Sequence, residues 1–188
     1  MKLVSAGSEF SAAACACWHH VAATSTIEGP SNGVHDRYEA DVELNDGESP
    51  DSAFERVRAH LFAYDVFPSR LMRSVICPDA PLREGSVLVQ RVRSGPLAIE
   101  SAVRVLEVWD RGDDKERAAG FRYVTLAGHP ERGVASFEVR LSSDDQVTVV
   151  IESRSVAGSA VTSMGRPLAR RVQRRLTIAA LEHLANAQ

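Results

Sequence analysis

Between Asp36 and Leu44 the chain alternates, with Tyr38, Ala40, Val42 and Leu44 interleaved by Arg37, Glu39, Asp41 and Glu43. Alternation with period two predicts a half-buried β-strand. Asn45-Asp46-Gly47 then turns the chain. Ser49 and Pro50 predict a helix start, with Ser49 as the N-cap and Pro50 at the first helical position. Phe54, Val57, Leu61 and Tyr64 make that helix's apolar face, and Pro68 marks its end. Six further strand segments follow in close succession, at 71–77, 86–92, 97–109, 118–127, 134–141 and 146–155. The links between them are short. Parallel neighbours need crossovers of a dozen residues or more, so these strands are expected to pair antiparallel. From about Thr162 to Ala185 apolar residues recur every fourth position, at Leu168, Val172, Leu176, Ala180 and Leu184. That stripe predicts a long amphipathic helix, with Leu168, Val172 and Leu176 facing the sheet.

The order strand, helix, about six strands, long helix predicts an α+β fold. A curved antiparallel sheet of about seven strands grips the C-terminal helix. Between the two an enclosed, mostly apolar cavity is expected, with a few polar groups to orient a ligand. Residues 34–188 form this domain. Residues 1–33, rich in Ala, Ser and Gly, form an N-terminal extension closed by Gly29-Pro30-Ser31-Asn32-Gly33. A short helix is expected around 11–23. Gly7-Ser8-Glu9-Phe10 is what two adjacent common cloning sites encode, so residues 1–10 carry no expectation about the fold.

Composition narrows the function. The chain has 188 residues, 44% hydrophobic and 25% charged, with a formal charge of −3. A chain this long buries enough surface to fold without a disulfide or a metal. The slight acidic excess argues against general nucleic-acid binding. No apolar run reaches the ~18 residues that suggest a membrane span, and Gly7 to Phe10 interrupts the place of a signal peptide's apolar core. Three cysteines, Cys15, Cys17 and Cys77, do not read as a disulfide framework. A cytoplasmic protein is the expectation. The sequence holds no phosphate-binding glycine loop, dinucleotide fingerprint, nucleophile elbow or His-Glu-x-x-His motif, so no cofactor is expected. Cys15, Cys17, His19 and His20 stand close together but lack a second pair at a zinc-site interval, so no metal is expected either.

One stretch is distinctive: Gly120-Phe121-Arg122-Tyr123-Val124-Thr125-Leu126-Ala127-Gly128-His129-Pro130-Glu131-Arg132-Gly133. It resembles the signature of the domain-of-unknown-function family numbered 1990. Gly165-Arg166-Pro167-Leu168-Ala169-Arg170, followed by Gln173-Arg174-Arg175, is similar to that family's closing helix. The resemblance covers roughly residues 34 to 186. Gly128, His129, Pro130, Glu131, Gly133 and Phe137 match the motif, whereas Val134-Ala135 stands where the family pattern has two acidic residues. The resemblance implies the helix-grip (START-like, SRPBCC) fold. It also implies the chemistry such cavities often host, which is cofactor-free cyclisation, dehydration or aldol-type steps on polyketide-like molecules. The family itself has no settled activity.

Four residues are candidates for acid–base work. His129 leads, because an ordinary imidazole titrates near neutral pH, and Glu131 stands two residues away to orient it. The other reading of Gly128-His129-Pro130-Glu131 is a tight turn, with Pro130 fixing φ and Gly128 and Gly133 allowing positive φ. Glu107 shares the alternation of Leu97, Ile99, Ser101, Val103, Val105 and Trp109, and a buried carboxyl has a raised pKa. Alternatively it sits near a strand end, or a bulge turns it to the other face. Tyr123, in step with Phe121 and Thr125, offers a phenol to a ligand or a satisfied hydroxyl to the core. The arginines of the last helix hold an anion or form a solvated face. Two functions follow. One is a cofactor-free enzyme acting on a hydrophobic small molecule. The other is a non-catalytic carrier of such a molecule. Two titratable groups converging on one point favour the first, and a wall of Val, Leu and Phe favours the second.

Overall fold

Every strand expected from alternation is present. The computed structural model describes residues 2–5, 15, 17–77, 81–94, 97–113, 116–158 and 166–187, with only the backbone at Ser5, at Ser94 and over 166–169. Along the chain lie β1 (Lys2–Ser5), β2 (Val34–Asp41), α1 (Pro50–Phe62), β3 (Met72–Cys77), β4 (Val87–Ser94), β5 (Leu97–Gly112), β6 (Arg117–Thr125), β7 (Glu131–Leu141), β8 (Val147–Ala157) and α2 (Arg166–Ala185). The strands of this sheet all pair antiparallel, in the order β2-β8-β7-β6-β5-β4-β3, with β1 beside β5. Thr162 to Gly165, where the last helix and its motif were expected to begin, lie outside the described residues.

Helix α1 starts as expected. Ser49 accepts a hydrogen bond from the Ser52 backbone N–H at 3.2 Å, and Pro50 needs no partner for the N–H it lacks. The helix stops at Phe62, before Pro68, because its end is capped. Tyr64 takes a left-handed conformation, φ 55°, which lets its own and the Asp65 N–H groups return to the carbonyls of Leu61 and His60. Glycine is the usual residue there. A tyrosine bears the steric cost, and its ring is thereby driven under the sheet, where it is buried.

One face of the sheet carries the main core. Val103 and Val105 of β5, Ala119 and Phe121 of β6, Phe137, Val139 and Leu141 of β7, and Val147, Val149 and Ile151 of β8 pack against Phe54, Val57 and Leu61 of α1 and against Ala180, Leu181 and Leu184 of α2. Phe121 and Phe137 stack at 5.3 Å, with Tyr64, Phe67 and Tyr123 around them. Aromatic rings therefore fill much of the space under the sheet.

The apolar stripe expected on α2 is corrected. Val172 is 45% exposed and Leu176 only half-buried, while Ala180, Leu181, Leu184 and Ala185 are buried. The side chain of Leu168 is outside the described set. The reason is rotation. Four residues turn a helix by about 40° more than a full circle, so a strict four-residue repeat drifts about 160° from Leu168 to Leu184. The face that meets the sheet follows Gln173, Thr177, Ala180, Leu181 and Leu184, and its first half is polar.

Glu107 is corrected too. The β5–β6 register shifts between Val105 and Glu107, so Val105 opposes Tyr123 but Glu107 opposes Arg122. A bulge inserts one residue and reverses the faces beyond it. Val108 thereby joins the core, and Glu107 and Trp109 turn to the outer face. Glu107 is 45% exposed and pairs with Arg122 at 3.6 Å. Trp109 lies over Gly120, where any Cβ would sit 2.8 Å from the indole and 2.3 Å from the Phe137 carbonyl.

The extension also departs from expectation. Residues 2–5, given no place in advance, form β1 and extend the lane that β6 leaves at Thr125, pairing with Leu97 to Glu100. Of the helix expected around 11–23, residues 11–14 and 16 lie outside the described set, and 17–20 form a turn. Cys15, Trp18 and Val21 cover Val75, Val87, Val89, Ala102 and Leu126 on the outer face. Cys15 is bonded to Cys77 in a disulfide with Cα atoms 5.6 Å apart, leaving Cys17 free and exposed. Counting cysteines missed this pair, because only the folded sheet brings Cys77 under the extension. No helix among the described residues is long and apolar enough to cross a membrane.

Candidate functional site

The strand ends beside α2 reverse the character of the core. Inward positions that carry valine and isoleucine along β8 become Ser153 and Ser155, and those of β2 become Tyr38 and Asp36. Opposite them stand Arg170, Gln173, Arg174 and Thr177 of α2. All of these but Ser155 line an open cleft of about 310 Å³. It lies between sheet and C-terminal helix, as expected, but its lining is polar. The physical cause is the same rotation of α2 that exposes Val172.

Glu131, the first residue of β7, stands near this cleft without lining it. It hydrogen-bonds Ser155 and interacts electrostatically with Asp36 and Arg170. Gln173 donates to Ser155 at 3.5 Å, and Arg170 holds Asp36 at 2.9 Å. Burial is the largest influence on Glu131 and pushes its carboxyl up to about 7. The Ser155 hydrogen bond and Arg170 pull it back, and Asp36 adds to the rise. Glu131 is thus poised between acid and base near neutral pH.

Tyr123 reaches the same region from β6. Its phenol hydrogen-bonds the Gln90 side chain and Tyr64, and Glu131 is close enough to interact with it. Gln90 also donates to the Tyr64 hydroxyl at 2.5 Å. The bonds to Gln90 and Tyr64 offset part of the rise that burial causes at Tyr123. Burial nevertheless raises both phenols above their ordinary range, so both remain protonated at neutral pH.

His129 behaves differently from expectation. His129 Nδ1 lies 3.0 Å from the Glu131 carbonyl and 3.1 Å from the Glu131 backbone N–H, so the ring folds back over its own turn. Desolvation pushes its pKa down to about 4, and the imidazole is neutral at pH 7. Gly128 has φ 87° and makes the turn possible, but Gly133 is needed for another reason. A Cβ there would meet the Arg154 carbonyl at 2.1 Å. Glu131 thus lies close enough to Tyr123 to influence it electrostatically, His129 turns back on the Glu131 backbone, and Glu107 is on the opposite face. The sequence reading missed Tyr64, Gln90, Asp36 and Ser155. Polar residues in the inward register of β2, β4 and β8 were the available signal.

A curved antiparallel sheet closed by a long C-terminal helix, with a cleft between them, defines a helix-grip protein. The family model described as domain of unknown function DUF1990 matches residues 18–183, and the chain belongs to that family. No curated protein matches the sequence. Among solved structures, a protein from Thermus thermophilus is 10% identical, with a TM-score of 0.50 over 81% of this chain and 94% of that one. Ara h 8.0201 is 8% identical over 80% of this chain and 97% of its own, with a TM-score of 0.46. A norcoclaurine synthase variant from Thalictrum flavum is 12% identical over 82% and 99%, with a TM-score of 0.43. These identities speak to fold alone.

Proposed function

We propose that the cleft between β2, β8 and α2 binds a small molecule with an apolar body and a polar head, and that Glu131 moves a proton on it without a cofactor. The observation that carries this reading is the Glu131 carboxyl, raised to about 7 and interacting with Asp36 and Arg170, which line the cleft. The apolar body packs along the half-buried Tyr38 ring and the Thr177 methyl that line the cleft. A carbonyl or hydroxyl of the head accepts the Tyr123 proton in a hydrogen bond. Protonated Glu131 donates to a leaving oxygen, and ionised Glu131 removes a proton beside a carbonyl. A cyclisation or dehydration of a polyketide-like substrate needs these steps and no more. His129 acts as a positioning residue, because its ring Nδ1 contacts the Glu131 backbone where β7 begins. Arg170 and Asp36 set the field at the mouth of the cleft.

The test is a screen of aromatic polyketide-like compounds by NMR chemical-shift mapping. Binding compounds are expected to shift Glu131, Tyr123, Ser155 and Thr177 together. Hits that bind elsewhere on the surface would overturn the reading. A second reading is a carrier without catalysis. It is distinguished by Glu131→Gln, which a carrier tolerates with unchanged affinity and an enzyme does not survive in turnover.

A further inference from the structure

Away from the cleft, three metal-capable side chains meet where the two helices end. His60 lies in the last turn of α1 and His183 in the last turn of α2. The left-handed Tyr64 folds the chain so that the Asp65 N–H returns to the His60 carbonyl at 2.9 Å. Its carboxylate then lies between the two imidazoles. Asp65 Oδ2 is 3.0 Å from His60 Nδ1, and Oδ1 is 3.3 Å from His183 Nε2. The rings stand perpendicular, 6.3 Å apart. All the donor atoms lie within 4.8 Å of one another. Among the described residues no arginine or lysine pairs with Asp65.

We infer that His60 Nδ1, His183 Nε2 and Asp65 form a binding site for a zinc-like divalent cation. Zinc takes imidazole nitrogen and carboxylate oxygen at ~2.0–2.2 Å in a tetrahedral shell, which spaces its donors roughly 3.4 Å apart. The two Asp65 separations already have that size. Only the gap between the two ring nitrogens must close, and all three side chains are partly exposed and free to adjust. Two nitrogens and one carboxylate select zinc, nickel or copper over calcium and magnesium, which favour oxygen donors. The exposed side leaves a fourth position to water. Ten residues of α2, about 15 Å, separate His183 from Gln173 in the cleft, so the site is distinct from that of Glu131. Its effect is mechanical. A bound ion ties the last turn of α2, where Leu181 and Leu184 are buried, to the end of α1.

The experiment is calorimetric titration of chelator-treated protein with zinc chloride, repeated on His183→Gln and Asp65→Asn. Both positions are partly exposed, and circular dichroism checks that the variants fold. One zinc per chain is expected, bound roughly tenfold or more weakly by either variant, and raising the thermal midpoint of the parent only. Cobalt(II) is expected to give visible bands without the near-ultraviolet charge transfer of a thiolate ligand. Absence of binding, binding unchanged in both variants, or a thiolate band assigning the ion to Cys17 with His19 and His20 would each overturn the proposal.

Discussion

Burial drives Glu131 and His129, neighbours on one turn, in opposite directions of charge and to opposite sides of their ordinary values. Glu131 holds its proton more tightly in the fold, with a pKa of about 7 against 4.5. Stability from this group is therefore lost as pH rises from about 4.5 to about 7. His129 holds its proton less tightly, with a pKa of about 4 against 6.5. Its contribution is lost as pH falls from about 6.5 to about 4. The two slopes oppose each other between about 4.5 and 6.5. Relative to the parent, Glu131→Gln is expected to make the urea midpoint rise more steeply with pH in that window. His129→Asn is expected to make it fall. A variant whose midpoint tracks the parent across the window would show that its group titrates normally. For activity the expectation is unequal. Glu131→Gln lowers turnover by ~10²–10⁴, the usual worth of a positioned acid or base, and His129→Asn lowers it less, because its neutral ring only supports the turn. Equal losses in steady-state assays would put His129 back in the chemistry.

Among the elements, α2 and the N-terminal extension carry the clearest tests. Leu184→Ala is expected to cost about 2–5 kcal/mol, as a fully buried leucine does. Val172→Ala is expected to stay within about 0.5 kcal/mol. Denaturant melts of the pair check the rotation of the helix, and the reverse ranking would mean that α2 docks on the other face. The Cys15–Cys77 bridge closes a loop of 62 residues. Cys77→Ser is expected to cost about 4 kcal/mol through the freedom it returns to the unfolded chain. A melt unchanged by this substitution would mean that the extension is not fastened to the sheet. Element existence was legible because alternation and the Ser49-Pro50 cap are local signals. The bulge at Val105/Glu107 was offered only as an alternative, because one inserted residue leaves the period intact on either side and shows only in the register. The face of α2 was misjudged because Leu and Val stood out at fourth positions while Gln173 and Thr177, on the true face, look like surface residues. The disulfide and the pairing of β1 depend on contacts between distant segments, which no local pattern encodes.

In the whole molecule the core divides into unlike parts. Stacked aromatic rings fill the middle. One region under α2 opens into a polar cleft with a raised carboxyl, and the helix ends gather His60, Asp65 and His183. The tyrosines and Gln90 satisfy one another's buried polar groups, and Tyr64 adopts a strained backbone to join them. Strain of this kind is retained where a side chain must be held in one place. The most direct measurement on the cleft is an NMR titration of the Glu131 side-chain carboxyl carbon, assigned by comparison with Glu131→Gln. The expected midpoint is about 7, moving further when a compound fills the cleft. A midpoint at the ordinary 4.5, unmoved by any compound that binds, would contradict the assignment of Glu131 as the proton-transferring group of a ligand site.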